Sequence, residues 1–201
     1  MRPLELVRKL LLGRKRYRWD KEYASGRWDY LNESIVAESY DAVLQVIARN
    51  LAGDRSILEL GCGEGILQTR MPRDTYSRFL GVDISKVAIR KAQRFKDDKT
   101  DYRVGNMETY VPSGKWNMII FNEVLFYTGD PLGLVKRYVP YLQPAGTLLV
   151  ALRETPDALD MIHAFDKAFH LRDQQYAVNQ RGAWHCKLYS QVRPGTTTLI
   201  N

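Results

Sequence analysis

From Ser56 onward, short unbroken apolar runs alternate with segments whose apolar positions recur at helical spacing. "SILEL" (56–60), "RFLGVDI" (78–84), "DYRV" (101–104), "WNMIIF" (116–121) and "GTLLVAL" (146–152) read as strands, and "WNMIIF" is apolar on both faces. Between them lie "EGILQTRM", closed by Pro72, and "KVAIRKAQRFK", capped by Ser85. "PLGLVKRYVPYL" opens with Pro131, and Pro140 must kink or shorten its end. "TPDALDMIHAFDKAF" has Thr155 as cap and Pro156 at the first helical position. The last apolar stretch, "YAVNQRGAWHCKLYSQV", predicts a hairpin turning at Arg181-Gly182.

Ahead of the strands, Ser34 caps a helix whose Val36, Tyr40, Val43, Leu44, Ile47 and Leu51 keep to one face and which stops at Gly53. Residues 1–33 differ in character. Leu4, Val7, Leu10, Leu11 and Leu12 alternate with basic residues in a loosely amphipathic helix predicted to end near Gly13. An aromatic-rich segment, "RYRWDKEYASGRWDYL", follows. The expected organisation is therefore a basic arm and aromatic lid over 1–33 and one domain over 34–201. Alternation of β and α elements implies a doubly wound, mostly parallel, seven-stranded sheet with helices on both faces. The hairpin adds one antiparallel strand. Ligands of such sheets bind beyond the carboxyl ends of the strands.

Composition sharpens this outline. A chain of 201 residues with 45% hydrophobic content is enough for one sizeable core. No apolar run reaches the roughly 20 residues of a membrane-spanning helix, and the basic start lacks the features of a secretory signal. A cytoplasmic protein is the expectation. Residues 1–18 hold seven Lys and Arg against Glu5, so six of the seven net positive charges sit in the arm. The rest is nearly neutral, unlike the broad basic face of a nucleic-acid enzyme. The arm suits a solvated helix, an anionic membrane surface or an anionic substrate. Cys62 and Cys186 form neither a disulfide framework nor a metal motif, and no metal site is expected.

The chemistry centres on "ILELGCGEGIL" (57–67). A dinucleotide turn reads G-x-G-x-x-G and places a pyrophosphate on a helix N-terminus. Here Gly61, Gly63 and Gly65 are more closely spaced, and Glu59 and Glu64 flank them, where they would repel a pyrophosphate. A phosphate-free cofactor with a cationic end fits better. Twenty residues after Gly63, Asp83 closes a strand, where a carboxylate can accept from both hydroxyls of a ribose.

At these residues the chain resembles the class I S-adenosylmethionine-dependent methyltransferases. "ELGCGEG" is similar to their first motif and "GVDIS" to their second. "VGNMET" resembles the adenine motif, with Asn106 where the family often has Asp. "WNMIIFNEVLFY" and "YLQPAGTLLVAL" resemble the fourth-strand and fifth-strand segments. The resemblance spans roughly residues 55–152 and implies a Rossmann-like methyltransferase fold with S-adenosylmethionine as cofactor. Glu59, Gly61, Cys62, Gly63, Gly65, Asp83, Ile84, Ser85, Asn106, Met107, Glu108 and Asn122 are then its binding residues. Tyr23 and Trp28 would cover its methionine end as a lid, and Arg27 would meet its carboxylate.

Three places are candidates for the acceptor side. "FNEVLFY" lacks the Pro-Pro pair of many amine-methylating nucleic-acid and protein enzymes. It resembles instead the small-molecule branch, including the nodulation methyltransferases that N-methylate a chitooligosaccharide. Glu123 and Tyr127 are its candidate catalytic groups. His185 is a third, whereas His163 and His170 belong with the helix that Thr155 caps. The acceptor expected is a small molecule, a glycan, amino sugar or secondary metabolite, methylated at oxygen or nitrogen. Two other readings stay open: an NAD(P)-dependent oxidoreductase, and a methyltransferase-like module that binds without catalysis.

Overall fold

The computed structural model describes residues 3–191, with side chains from Leu12 onward. The seven strands are β1 (Ser56–Leu60), β2 (Arg78–Asp83), β3 (Thr100–Val104), β4 (Trp116–Asn122), β5 (Leu142–Arg153), β6 (His170–Asn179) and β7 (Gly182–Ser190). They form one sheet in the order β3-β2-β1-β4-β5-β7-β6. β7 runs antiparallel to both β5 and β6, and the remaining neighbours are parallel. One antiparallel strand in an otherwise parallel sheet is the arrangement the hairpin predicts.

The helices are α1 (Pro3–Ala24), α2 (Ala37–Asn50), α3 (Ile66–Thr69), α4 (Lys86–Ala92), α5 (Pro131–Tyr138) and α6 (Pro156–Ala168). Val43, Val46 and Ile47 of α2 and Ile89 of α4 pack with Ile57, Met118, Ile120 and Leu149 on one face of the sheet. Leu134 and Val135 of α5 and Ile162 and Phe165 of α6 pack with Leu58, Leu60, Ile119 and Leu148 on the other. Residues one apart in β1 and β4 thus serve opposite cores, and this explains why both strands read as continuous apolar runs.

Several boundaries differ from the sequence expectation. The first helix does not end near Gly13 but runs on to Ala24. A glycine costs a helix only about 1 kcal/mol, and Trp19 and Tyr23 regain more by packing against Ala88 of α4. Ser34 opens a short 3-10 turn, Ser34–Val36, and α2 begins at Ala37 without a side-chain cap. That helix stops at Asn50, ahead of Gly53. Pro140 ends α5 as expected, with a 3-10 turn over Val139–Tyr141. His170 is the first residue of β6 and not part of a helix.

The carboxyl ends of β1, β2, β4 and β5 all open on the same edge of the sheet. Because β7 is antiparallel, its first residues lie there too, with Trp184 opposite Arg153.

Candidate active site

The turn after β1 is built for glycine. Gly61 has φ +74°, and its N–H donates to the Val82 carbonyl at 2.7 Å. A Cβ at Gly61 would lie 2.3 Å from a methyl of Val124, and one at Gly63 (φ +54°) would lie 2.8 Å from the Tyr23 hydroxyl. The turn therefore closes tightly against β2, β4 and the N-terminal helix together.

Asp83 ends β2 beside this turn. One carboxylate oxygen accepts from the Gly63 N–H at 3.0 Å and the other from the Ser85 N–H at 2.8 Å. Each oxygen keeps a lone pair for a ligand, and the side chain lines a cavity of about 520 Å³. Burial raises its pKa to about 6. Glu59 is deeper. Only 3% exposed, it has one carboxylate oxygen without a hydrogen-bond partner. Burial, with the Asp83 charge adding to it, pushes its pKa up to about 8. An orphaned buried acceptor beside a second carboxylate fits a cationic, hydroxyl-bearing ligand and opposes a pyrophosphate.

Glu59 and Asp83 both favour the protonated form in the fold, so folding takes up protons and stability falls as pH rises. The thermal midpoint of the cofactor-free protein is expected to drop between about pH 4 and 8, by an amount of order a few kcal/mol in stability. Calorimetry across that range checks it, and Glu59→Gln should flatten the profile.

Gly61, Cys62, Gly63, Glu64, Ile84, Asn106, Met107 and Asn122 line the same cavity. Gly65, Ser85 and Glu108 do not line it, and the first two shape it from behind. Gly65, at φ +81°, starts α3. The Ser85 hydroxyl caps α4, accepting from the Ala88 N–H at 3.1 Å. Asn106 accepts from the Glu108 N–H at 3.0 Å, and Glu108 pairs with Lys15 at 3.0 Å.

The roof of the cavity comes from α1 and the residues just after it. Trp19, Tyr23, Trp28 and Tyr30 form a chain of tilted rings with centroids about 6 Å apart, and Tyr127 meets Trp19 edge-on at 4.7 Å. The Trp28 indole N–H is buried without a partner. Asp20 receives the Ser85 hydroxyl at 2.7 Å and the Val87 N–H at 3.2 Å, and Arg16 donates to the Ile84 carbonyl at 3.2 Å. Lys91 ties the roof to the glycine turn, donating to Glu64 at 2.7 Å and to the Tyr23 carbonyl at 3.1 Å. Arg27 is not in the lining. It stacks on Trp28 and pairs with Glu22.

Beyond β4, Glu123 adopts the left-handed conformation at φ +57°, a strained choice for a residue with a side chain. Its carboxylate lines the cavity and accepts from the Arg153 N–H at 2.5 Å. Burial raises its pKa to about 7. Tyr127 lines the cavity at its exposed rim. His185 does not reach it. Strand alternation turns Trp184 inward and His185 away, where it bonds Glu154 at 2.8 Å and stacks on Tyr176. Among the described residues, no group of three or more His, Cys, Asp or Glu could hold a metal ion.

Sequence reasoning missed Lys15, Trp19, Tyr40, Arg153 and Arg181 in this lining. Arg153 had a signal, as the first charge after the apolar run of β5. Lys15 and Trp19 were hidden by the expected helix end at Gly13.

The comparisons with known proteins agree with this geometry. Residues 32–192 match the family described as the methyltransferase domain. A ubiquinone biosynthesis O-methyltransferase of Xanthomonas campestris pv. campestris is 28% identical over 119 residues, covering 56% of this chain and 49% of the relative. The chain thus spans about half the length of that relative. Among solved structures, the N-methyltransferase NodS from Bradyrhizobium japonicum WM9, in complex with S-adenosyl-L-homocysteine, superposes with a TM-score of 0.76 at 15% identity, over 89% of this chain and 98% of that one. The 1,6-didemethyltoxoflavin-N1-methyltransferase of Burkholderia thailandensis gives 0.71 at 15% identity, over 96% and 92%. The acid-flanked glycine turn, the buried Asp83 beside it and the match over residues 32–192 lead to one conclusion: the chain belongs to the methyltransferase-domain family.

Proposed function

We propose that the protein transfers a methyl group from S-adenosylmethionine to an oxygen or nitrogen of a small molecule. The observation that carries this reading is the roofed cavity, with carboxylates at one end and Glu123 beyond the fourth strand. Its volume of about 520 Å³ falls in the range of small-molecule sites, roughly 300–1,000 Å³. A polymer strand would need an open groove. The related proteins named above act, by their names, in ubiquinone biosynthesis and on 1,6-didemethyltoxoflavin, which supports a small acceptor here.

The donor supplies an already activated methyl on a sulfonium, so alignment is the main task left to the protein. Alignment is worth up to roughly 7–11 kcal/mol in ideal geometry. Asp83 would take the ribose hydroxyls, Glu59 the cationic end, and Asn106 and Met107 the adenine. The Trp19–Tyr23–Trp28 roof excludes water and offers ring faces to positive charge. Glu123 holds the acceptor proton at its carboxylate oxygen. We assign residues 1–33 to a basic arm and aromatic lid, 34–201 to the catalytic domain, and the protein to the cytoplasm. No helix among the described residues is long and apolar enough to cross a membrane. Lys15 and Arg16 of the arm are already engaged within the protein.

Titration of the full chain with S-adenosylhomocysteine and, separately, with NADH tests the donor assignment. Binding of the first and not the second is expected. The reverse would turn the reading to an oxidoreductase. Methyl transfer to at least one member of a panel of sugars, amines and phenols separates an enzyme from a binding module.

A further inference from the structure

The cavity is polarised along the sheet. Glu59, Glu64 and Asp83 gather at the ends of β1 and β2, whereas the ends of β5 and β7 bring Arg153 and Arg181 to the lining. Arg153 sits on the last residue of β5, opposite Trp184. Arg181 sits in the turn between β6 and β7, its guanidinium 4.4 Å from the Tyr30 ring centre. The Arg153 guanidinium donates to the Arg181 backbone carbonyl, which ties the Arg153 side chain to the turn that carries Arg181. Among the described residues, neither guanidinium pairs with a carboxylate at ion-pair distance.

We propose that Arg153 and Arg181 form an anion subsite, so that the methyl acceptor carries a carboxylate or a phosphate held at this end of the cavity. The proposal rests on the small-molecule reading above and narrows it. A planar guanidinium matches two oxygens of either group at once. Stacking on Tyr30 fixes the Arg181 fork in advance, so less order is lost on binding. Two acids share this stretch of lining. The Glu123 carboxylate is turned onto the Arg153 N–H, and Asp157 sits in the first turn of α6, where the helix dipole offsets its charge. With the anion anchored on the arginines, the acceptor's nucleophile extends from the β5–β7 end toward β4, where Glu123 stands.

The test uses the full chain loaded with S-adenosylhomocysteine and titrated by calorimetry with benzoate, phenyl phosphate and neutral benzamide. Saturable millimolar binding of at least one anion is expected, with none for benzamide. Benzoate alone would identify a carboxylate, and phenyl phosphate alone a phosphate. The double variant Arg153→Gln/Arg181→Gln should weaken anion binding about tenfold or more. Arg181→Gln alone, at an exposed turn, should weaken it about threefold. Absence of binding by both anions, or equal affinity in the double variant, would overturn the subsite while leaving the donor assignment standing. Failure of S-adenosylhomocysteine itself to bind would overturn both.

Discussion

Asp83→Asn is expected to weaken S-adenosylmethionine binding about 100-fold, from the loss of one charge-assisted hydrogen bond worth roughly 1.5–3 kcal/mol. Asparagine has the size of aspartate, but its amide nitrogen cannot accept. One of the two N–H groups now bonded to Asp83, from Gly63 or Ser85, then loses its acceptor. Calorimetry measures the affinity, and a thermal midpoint close to that of the unaltered protein shows that the turn survives. An affinity within threefold of the unaltered protein would remove Asp83 from the ribose role. Asp83→Ala should bind more weakly still, because both N–H groups are then buried without a partner.

Glu123→Gln is expected to lower kcat about 10²–10³-fold on any acceptor that must lose a proton, in line with the usual worth of a positioned base. Its sign with pH is fixed by its environment. Burial places the Glu123 pKa at about 7. Only the ionised form accepts a proton, so kcat/KM should rise with pH and level off above about 7. The variant should lose that inflection. An unaltered profile would shift the role to Tyr127 or to an acceptor that needs no base. The strained backbone of Glu123 supports the assignment, since a left-handed residue is kept only where something holds it.

Much of this was legible in the sequence because it depends on local rules. The alternating apolar runs announced the parallel sheet, and Arg181-Gly182 announced the hairpin. Gly61 and Gly63 were readable because a tight turn admits few residue types, and Asp83 because an acid closing the strand beside that turn must face it. What stayed hidden depends on packing between distant segments. Gly13 reads as a helix end by propensity, yet tertiary contacts of Trp19 and Tyr23 carry α1 through it. His185 looked catalytic by its position in the chain, and the two-residue period of β7 turns it away. Arg153 and Arg181 meet only because β5 and the hairpin turn share one end of the sheet.

The cap that Asp20 places on α4 has a consequence for where the folding unit begins. A chain cut to start at Asn32 would keep all seven strands and both cores. It would leave the Val87 N–H and the Ser85 hydroxyl without the carboxylate that receives them. The second motif of the donor site therefore borrows its finish from a helix 65 residues upstream. A truncation that spares the sheet thus removes Lys15, Trp19, Tyr23, Trp28 and Tyr30 from the wall of the pocket together with the carboxylate that finishes the start of α4.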